Sequence, residues 1–282
     1  MGTKIIVVGG GPAGLAAAIA ARSRGKEVLV ISNPAQSSPL AKAPRVDNYP
    51  GLPGLTGLEL LQTLENHARD MGAQIVVGRV NAIMAWNGFS LTVGSDVYQA
   101  DALVMAPGVV QAAAYPGEEE YLGRGVSYCA TCDGMLYRGR RVLVIGRTGQ
   151  AYEEANYLQS IGCEVTYTDR SRPEKLDERV DFLALGPIEI TGEQAVKTVR
   201  ISGEEHPFDG VFILRQAVAP NHLLPGLEVA DGVIVTDRGM ATNLPGVYAA
   251  GDCTGIPYQV AKAVGEGLVA GEHAAEYLEQ KN

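Results

Sequence analysis

The amino-acid sequence predicts an α/β protein with two doubly wound domains. Two segments, 5–31 and 142–168, share the order of a short apolar strand, a glycine turn, a helix and a second strand. Strands that alternate with helices in this way are typical of parallel sheets covered by helices. The chain of 282 residues contains 35 glycines without a G-X-Y period, which fits the many tight turns of such domains.

Each predicted element follows from its local pattern. Residues 5–8, 28–31, 142–145 and 165–168 are apolar runs typical of buried parallel strands, and residues 15–24 and 151–160 predict the helices between them. Further elements are a helix over 58–71, strands over 75–80, 89–93, 103–106 and 247–250, and a final helix over 259–279.

Charge and cysteine content exclude several classes of protein. A formal net charge of −9 argues against nucleic acid as the main partner. The apolar opening at 5–8 is too short for a signal peptide, and no later segment reaches the length of a membrane span, so we expect a cytoplasmic protein without membrane contact. Four cysteines in a chain of this length indicate a redox or catalytic role for a C-x-x-C pair, not a disulfide scaffold.

The first glycine loop predicts a dinucleotide site. Gly9, Gly11 and Gly14 form G-x-G-x-x-G between a strand and a helix. The first glycine allows the tight turn, the second lets the backbone approach a pyrophosphate, and the third lets the helix pack on the strand. The free N–H groups of the helix N-terminus then face the phosphates. The alternative is a turn with a structural role alone.

Two features favour FAD at this site. The acid that binds an NAD ribose is absent from the end of the second strand, where Ser32 and Asn33 stand. Late in the chain, Gly251 and Asp252 follow a strand and precede a helix. An aspartate there can accept a hydrogen bond from a ribityl hydroxyl of the flavin, although it could also be a plain helix N-cap.

The cysteine pair carries the predicted chemistry. Cys129 and Cys132 are separated by two residues, so they can close a small disulfide and reopen it, and one thiol of such a pair often has a lowered pKa. Zinc would need two further ligands, which no second C-x-x-C or C/H pair supplies, so no metal site is expected. Asp133 could move the proton, or it could be a surface turn residue. Cys163 and Cys253 are expected to be buried small apolar residues, although Cys253 could lie near the flavin.

These motifs resemble the low-molecular-weight thioredoxin reductases over nearly the whole chain. The matching segments are GGGPAG (9–14), DNYPGLPG (47–54), CATCDG (129–134) and GVYAAGDCTGIPYQVAKAVGEG (246–267). The resemblance implies two Rossmann-like, three-layer ββα domains, the second inserted into the first. The FAD-binding domain would comprise 1–114 and 233–282, and the central domain 115–232. It also implies a homodimer and a domain rotation, with hinges near 115–118 and 230–233.

The resemblance also implies roles for individual residues. Cys132 would lie against the flavin and take its electrons, Cys129 would attack the disulfide of thioredoxin, and Asp133 would act as acid and base. Together with the two glycine turns, the resemblance predicts these FAD contacts: Gly9, Gly11, Pro12, Ala13, Gly14, Asn33, Asn48, Val80, Ala106, Pro107, Gly108, Gly251, Asp252, Gln259 and Val260.

The second glycine loop departs from the family pattern. A relative would show G-x-G-x-x-A for NADPH, but residues 146–151 read GRTGQA. Thr148 replaces the middle glycine and would crowd a pyrophosphate, and Arg147 adds bulk beside it. At the end of the next strand, Asp169 would repel a 2′-phosphate and would favour NADH if any pyridine nucleotide bound. We therefore predict a degenerate, non-functional nucleotide site in the central domain.

The loss of that site makes the chain most similar to the ferredoxin-dependent flavin thioredoxin reductases. These enzymes take single electrons from ferredoxin and pass two to thioredoxin, a task that suits a flavin. Because ferredoxins are acidic, a basic docking patch is expected, although each residue could be ordinary solvated charge. The candidates are Arg138, Arg140, Arg141, Arg170, Arg172, Lys175 and Arg179.

Three alternatives stay open. The chain could be an NADH- or NADPH-dependent thioredoxin reductase with a degenerate loop, or a diflavin-linked disulfide oxidoreductase with a second FAD. It could also be a non-catalytic flavoprotein that senses redox state through its cysteine pair. Ferredoxin–NADP reductases of the same fold are disfavoured because they lack a C-x-x-C.

Overall fold

The computed structural model describes residues 4–108, 114–148, 151–214 and 219–281, except for the side chain of Cys132. The chain forms two compact units. The first unit comprises Met1–Val110 and Ala219–Asn282, and the second unit comprises Gln111–Val218. Each unit is a three-layer Rossmann-like α/β fold, so the predicted fold class is confirmed.

The first unit is built on a five-stranded parallel sheet of order β18-β7-β1-β2-β3. Its strands are β1 (Lys4–Val8), β2 (Glu27–Ser32), β3 (Gln74–Val77), β7 (Ala102–Met105) and β18 (Val247–Ala249). One face carries the helices α1 (Pro12–Ser23), α2 (Gly57–Asp70) and α6 (Val260–Lys281). The other face carries an antiparallel sheet of β4 (Val80–Ala85), β5 (Phe89–Val93) and β6 (Asp96–Ala100).

The alternation of side chains along β1 explains these three layers. Ile5 and Val7 pack into the core under the helices, whereas Ile6 and Val8 pack against the antiparallel sheet. A strand that is apolar on both faces is buried on both faces, which is why its sequence reads as a continuous apolar run.

The second unit repeats the arrangement. Its parallel sheet has the order β11-β10-β9-β15-β8. The strands are β8 (Val126–Ser127), β9 (Arg141–Gly146), β10 (Glu164–Asp169), β11 (Asp181–Ala184) and β15 (Gly210–Leu214). The helices α3 (Ala130–Asp133) and α4 (Ala151–Ser160) pack on one face. The other face carries the antiparallel strands β12 (Ile188–Gly192), β13 (Val196–Ile201) and β14 (Glu204–Pro207).

The chain returns from the second unit to the first earlier than the predicted domain boundary. The sequence placed 115–232 in the central domain, but residues from Ala219 onward belong to the first unit. The reason is burial, because Leu223, Leu224 and Leu227 join the core beneath the antiparallel sheet of the first unit. Leu223 ends a short helix, α5 (Pro220–Leu223).

The predicted hinge at 230–233 is a β-hairpin inside the first unit. Strands β16 (Val229–Ala230) and β17 (Val233–Ile234) pair antiparallel around a turn of Asp231 and Gly232. Both turn residues have positive φ, of 52° and 79°, which is the geometry that an Asp-Gly pair supplies to a two-residue hairpin. The first predicted hinge, 115–118, opens the described part of the second unit, and residues 109–113 and 215–218 lie outside the described residues.

The predicted strand at 75–80 is two strands. β3 ends at Val77, and β4 begins at Val80 in the other sheet. Gly78 makes the change of sheet possible, because a Cβ there would lie 2.5 Å from Val93 Cγ1.

Two glycines of α6 set its approach to α1. A Cβ on Gly267 would lie 2.1 Å from Ala13 O, and a Cβ on Gly271 would lie 2.3 Å from Ala17 O. The two backbones therefore touch at the N-terminal half of α1. In the described part of the chain, no helix has the length and apolar character needed to cross a membrane.

Candidate functional site

The N-terminus of α1 is open to an anion. Gly11 is its N-cap, and a Cβ at Gly11 would meet nothing within 4 Å. Within this described helix, no acidic residue occupies the first turn and no side chain caps the N-terminus by a hydrogen bond. Its first N–H groups can therefore bind a pyrophosphate.

The other two glycines of the loop are required by contact. Gly9 has φ +113°, and a Cβ there would lie 2.1 Å from Ala106 O. A Cβ on Gly14 would lie 1.9 Å from Gly9 O. Ala106 N donates to Val8 O at 2.8 Å, so the segment Ala106–Gly108 after β7 lies directly beside the loop.

The Gly251 turn lies against the start of α1. Gly251 has φ +90°, and a Cβ there would lie 2.7 Å from the Cβ of Ala13. The next residue, Asp252, is half-buried, and burial raises the pKa of its carboxyl, while Lys262 lowers that pKa and Glu266 raises it. The two turns that the sequence singled out 240 residues apart thus meet at one end of the sheet.

Five further predicted contacts lie in this unit. Asn48 Nδ2 donates to Gln259 Oε1 at 2.8 Å, which joins two residues 211 positions apart just before Val260 opens α6. Ser32 Oγ donates to Asn33 O at 2.9 Å at the end of β2. Val80 is 6% exposed and packs in the core, so its contact with a cofactor would have to come from the main chain.

The sequence missed an ion pair that holds the Gly251 turn. Lys262 Nζ lies 3.0 Å from Glu266 Oε2 in the first turns of α6. Both side chains also hydrogen-bond to the segment 251–255. The i,i+4 spacing of a lysine and a glutamate was visible, but helical pairs of this kind are usually exposed and carry no sign of a loop beneath them.

The cysteine pair lies in the second unit, between β8 and the short helix α3. Cys129 is 4% exposed and disulfide-bonded, whereas Cys163 and Cys253 are free and buried. Burial raises the pKa of the Cys253 thiol to about 12, so that thiol stays protonated. The expectation that Cys163 and Cys253 are buried apolar residues is confirmed.

Asp133 is held by a serine that the sequence analysis did not single out. Ser127 is 4% exposed, and its hydroxyl donates to Asp133 Oδ2 at 2.7 Å. Ser127 Oγ in turn accepts a hydrogen bond from Cys129 N at 3.1 Å. Asp133 is therefore positioned next to the disulfide and is not a plain surface turn residue.

Two glutamates also hold the segment around Cys129. Glu154 Oε2 in α4 accepts from Ala130 N at 3.1 Å, directly after Cys129. Glu118 is 1% exposed, and its two carboxylate oxygens accept from Tyr128 Oη at 2.9 Å and from Tyr115 N at 2.8 Å. A buried carboxylate with such partners fixes the chain just before the cysteine.

A buried tyrosine packs against the first glycine of the second loop, of which residues 149–150 lie outside the described residues. A Cβ on Gly146 would lie 2.0 Å from the hydroxyl oxygen of Tyr167, which is 1% exposed. That hydroxyl donates to Asp169 Oδ2 at 3.2 Å, and Arg170 N donates to Asp169 Oδ1 at 2.6 Å. Burial and the neighbouring carboxylate raise the pKa of Tyr167, so the phenol stays a neutral donor. Both oxygens of the predicted ribose acid are engaged within the chain.

Comparison with known proteins identifies the relatives. The family model "Pyridine nucleotide-disulphide oxidoreductase" matches residues 3–267. The chain belongs to this family. It is 34% identical to a thioredoxin reductase of Listeria monocytogenes over 299 residues, with 98% of this chain and 94% of the relative covered.

Two solved structures from Clostridium acetobutylicum, each described as a ferredoxin-flavin thioredoxin reductase, share the fold. The first is 43% identical, with 98% of each chain covered and a TM-score of 0.91. The second is 37% identical, with 99% of this chain and 98% of that chain covered and a TM-score of 0.86. Membership in the family confirms the predicted resemblance and implies FAD as the cofactor, which the open α1 N-terminus and the Gly251 turn fit.

Some of the predicted basic residues are bonded within their own loop, whereas others are exposed. Arg172 donates to Val180 O and Asp177 O, and Arg179 pairs with Asp177 at 2.7 Å, so both stabilise their own loop. Arg138 and Arg140 are exposed and follow the 3-10 turn Gly134–Tyr137 that comes after α3. Between them and the cysteines lie two exposed apolar side chains that the sequence analysis missed, Met135 at 57% and Leu136 at 73%.

Proposed function

We propose that this protein is an FAD-dependent thioredoxin reductase that receives its electrons from reduced ferredoxin. The observation that supports the choice of donor is the engagement of Asp169, the acid at the end of β10, within the chain itself. Tyr167 packs against Gly146, and the two carboxylate oxygens of Asp169 accept hydrogen bonds from the Tyr167 hydroxyl and from Arg170 N. Thr148 adds a branched side chain where a pyrophosphate needs glycine. Similarity to the two ferredoxin-flavin thioredoxin reductases supports the same choice.

The first unit would hold FAD through the residues already described. The N–H groups at Gly11 and after it would bind the pyrophosphate, and Asp252 would accept from a ribityl hydroxyl. When bound, FAD supplies the ability to take up electrons singly and deliver two. Asn48 and Gln259, whose side chains hydrogen-bond to each other, would line the same site.

The disulfide chemistry would run through Cys129 and Cys132, which we propose are bonded to each other. Two electrons and two protons convert this disulfide to two thiols. The Cys129 thiolate then attacks the disulfide of thioredoxin and forms a mixed disulfide, and one thioredoxin sulfur leaves as a thiolate. Attack by Cys132 on Cys129 releases the second thioredoxin sulfur and restores the disulfide. Asp133, positioned by Ser127, would accept and return the protons.

We propose that protein partners dock beside the cysteines. Met135 and Leu136 supply exposed apolar area, and Arg138 and Arg140 supply positive charge for acidic partners. The homodimer and the cytoplasmic location stay predictions.

The decisive experiment is an anaerobic mixing series that follows the visible flavin absorbance. Rapid bleaching by reduced ferredoxin, with none by NADPH or NADH, is the expected result. Bleaching by either nucleotide would contradict the proposal and establish the NADH- or NADPH-dependent reductase instead. A flavin count of two per chain would identify the diflavin enzyme, and failure to reduce thioredoxin with any donor would indicate a sensor.

A matched pair of variants tests the docking surface. Arg140→Glu should raise the KM for ferredoxin and weaken its dependence on salt, because a steering charge is reversed. Lys197→Glu, which reverses an exposed charge on β13 of the same unit, should change neither. Equal effects of the two variants would show that the KM for ferredoxin depends on the net charge of the protein and not on this surface.

A further inference from the structure

The strongest unexplained feature of the first unit is the charge pair over the Gly251 turn. The ammonium group of Lys262 donates to Gly251 O at 2.8 Å, to Gly255 O at 2.8 Å and to Thr254 Oγ1 at 2.9 Å. All three oxygens belong to the segment 251–255. The side chain of Lys262 is only 17% exposed, so these contacts are partly shielded from water.

Glu266 completes the arrangement from the next turn of α6. Its Oε2 accepts from Gly251 N at 2.9 Å and from Thr254 Oγ1 at 2.8 Å. The N–H and the C=O of Gly251 are thus both bound by one ion pair, and Gly251 is the residue directly before Asp252. Fixing both peptide groups of Gly251 fixes the direction in which Asp252 leaves the turn.

The segment needs such support because its own backbone is permissive. It begins and ends with glycines in the left-handed region, at φ +90° and +112°. The single turn Asp252–Thr254 between them has no side-chain hydrogen bond at its N-cap. Glycine loses more conformational freedom on ordering than any other residue, so an unsupported segment of this kind would sample many conformations.

We propose that Lys262 and Glu266 are positioning residues that hold Asp252 in place for FAD and set the acidity at which the protein releases FAD. The inference rests on the FAD site of the proposed function but not on the identity of the electron donor. It assigns a purpose to two residues to which the disulfide chemistry of the proposed function gives no role.

The two charges act on Asp252 in opposite directions. An ionised Asp252 accepts a stronger, charge-assisted hydrogen bond from a ribityl hydroxyl than a protonated Asp252 does, so FAD binding weakens as pH falls through its pKa. In the described residues, the charged groups that act on Asp252 are Lys262, which lowers its pKa, and Glu266, which raises it. Removal of the lysine charge therefore moves the release of FAD to higher pH, and removal of the glutamate charge moves it to lower pH.

The test measures FAD affinity by equilibrium dialysis from pH 4 to pH 8. Lys262→Met should weaken FAD binding at pH 7 about tenfold, which corresponds to about 1.4 kcal/mol. It should also raise the pH of half-release by about one unit, as expected for the loss of a nearby charge. Glu266→Gln keeps an acceptor for Gly251 N and should lower the pH of half-release. Lys262→Arg keeps the charge and should restore most of the wild-type pH of half-release.

The control removes another i,i+4 pair of the same unit. Arg69 lies 2.8 Å from Glu65 on α2, and Arg69→Met should leave both affinity and pH of half-release unchanged. Shifts of the same sign in Lys262→Met and Glu266→Gln, or no shift in either, would overturn the proposal, because a helix-stabilising pair alone weakens binding equally at every pH. These readouts need no ferredoxin or thioredoxin, so they are independent of whether the proposed donor is correct.

Discussion

Removal of the Ser127 hydroxyl should slow thioredoxin reduction while leaving FAD bound. In Ser127→Ala, Asp133 loses the donor that lies 2.7 Å from its Oδ2, and Cys129 N loses its acceptor at 3.1 Å. Ser127 is 4% exposed, so water has little access to replace these bonds. The carboxylate is then free to turn away from the cysteines.

The size of the effect follows from these two contacts. A hydrogen bond to a charged group contributes about 1.5–3 kcal/mol, and a buried donor left without a partner costs about 1–3 kcal/mol. If about 1.4 kcal/mol of this lost hydrogen-bond free energy raises the barrier of the rate-limiting proton transfer, the rate falls roughly tenfold. Asp133→Asn removes the acid and base itself and should cost about 10²-fold or more.

A single-turnover assay separates this step from the electron donor. Enzyme reduced photochemically is mixed with oxidised thioredoxin, and the return of oxidised flavin absorbance is followed from pH 5 to pH 9. Ser160→Ala is the control, because Ser160 Oγ donates to Tyr157 O at 2.7 Å on the exposed end of α4 in the same unit. A wild-type rate and pH profile in Ser127→Ala, together with a slow Asp133→Asn, would falsify the positioning role of the serine.

Three further outcomes are expected. Gly14→Ala should destabilise the protein by about 1–3 kcal/mol and lower its FAD content, because a Cβ there would lie 1.9 Å from the carbonyl oxygen of Gly9. The control Gly265→Ala should raise the midpoint of thermal unfolding, because a Cβ there would meet nothing within 4 Å. Cys129→Ser and Cys132→Ser should each abolish thioredoxin reduction and keep FAD, and loss of FAD from both would mean that the pair is structural. Leu136→Asp should raise the KM for thioredoxin without changing flavin content, and an unchanged KM would remove this side chain from the docking surface.

Local patterns were sufficient wherever the chemistry depends on residues close in sequence. The loop around Gly11 has three glycines at fixed spacing; contact geometry requires Gly9 and Gly14, whereas the space at Gly11 is open. The cysteine pair needs only two intervening residues. The parallel strands were visible because burial on both faces makes them continuously apolar, as in β1 and β9.

Sequence patterns gave wrong predictions where packing between distant parts of the chain decides to which domain or sheet a residue belongs. The leucines at 223–227 read as part of the central domain, and only packing decides that they complete the core of the first unit. The strand predicted over 75–80 is divided between two sheets, because a glycine allows the chain to turn where apolar periodicity continues.

The sequence by itself determined the two Rossmann-like frames and predicted the glycine loop and the C-x-x-C pair as sites, since each is written in a short contiguous pattern. Only the tertiary structure decided that Ser127 binds Asp133, that Tyr167 packs against Gly146, and that Lys262 holds the Gly251 turn. The physical reason is that a hydrogen bond or a steric contact depends on distances of a few tenths of an ångström between groups, which residue type and spacing alone do not specify.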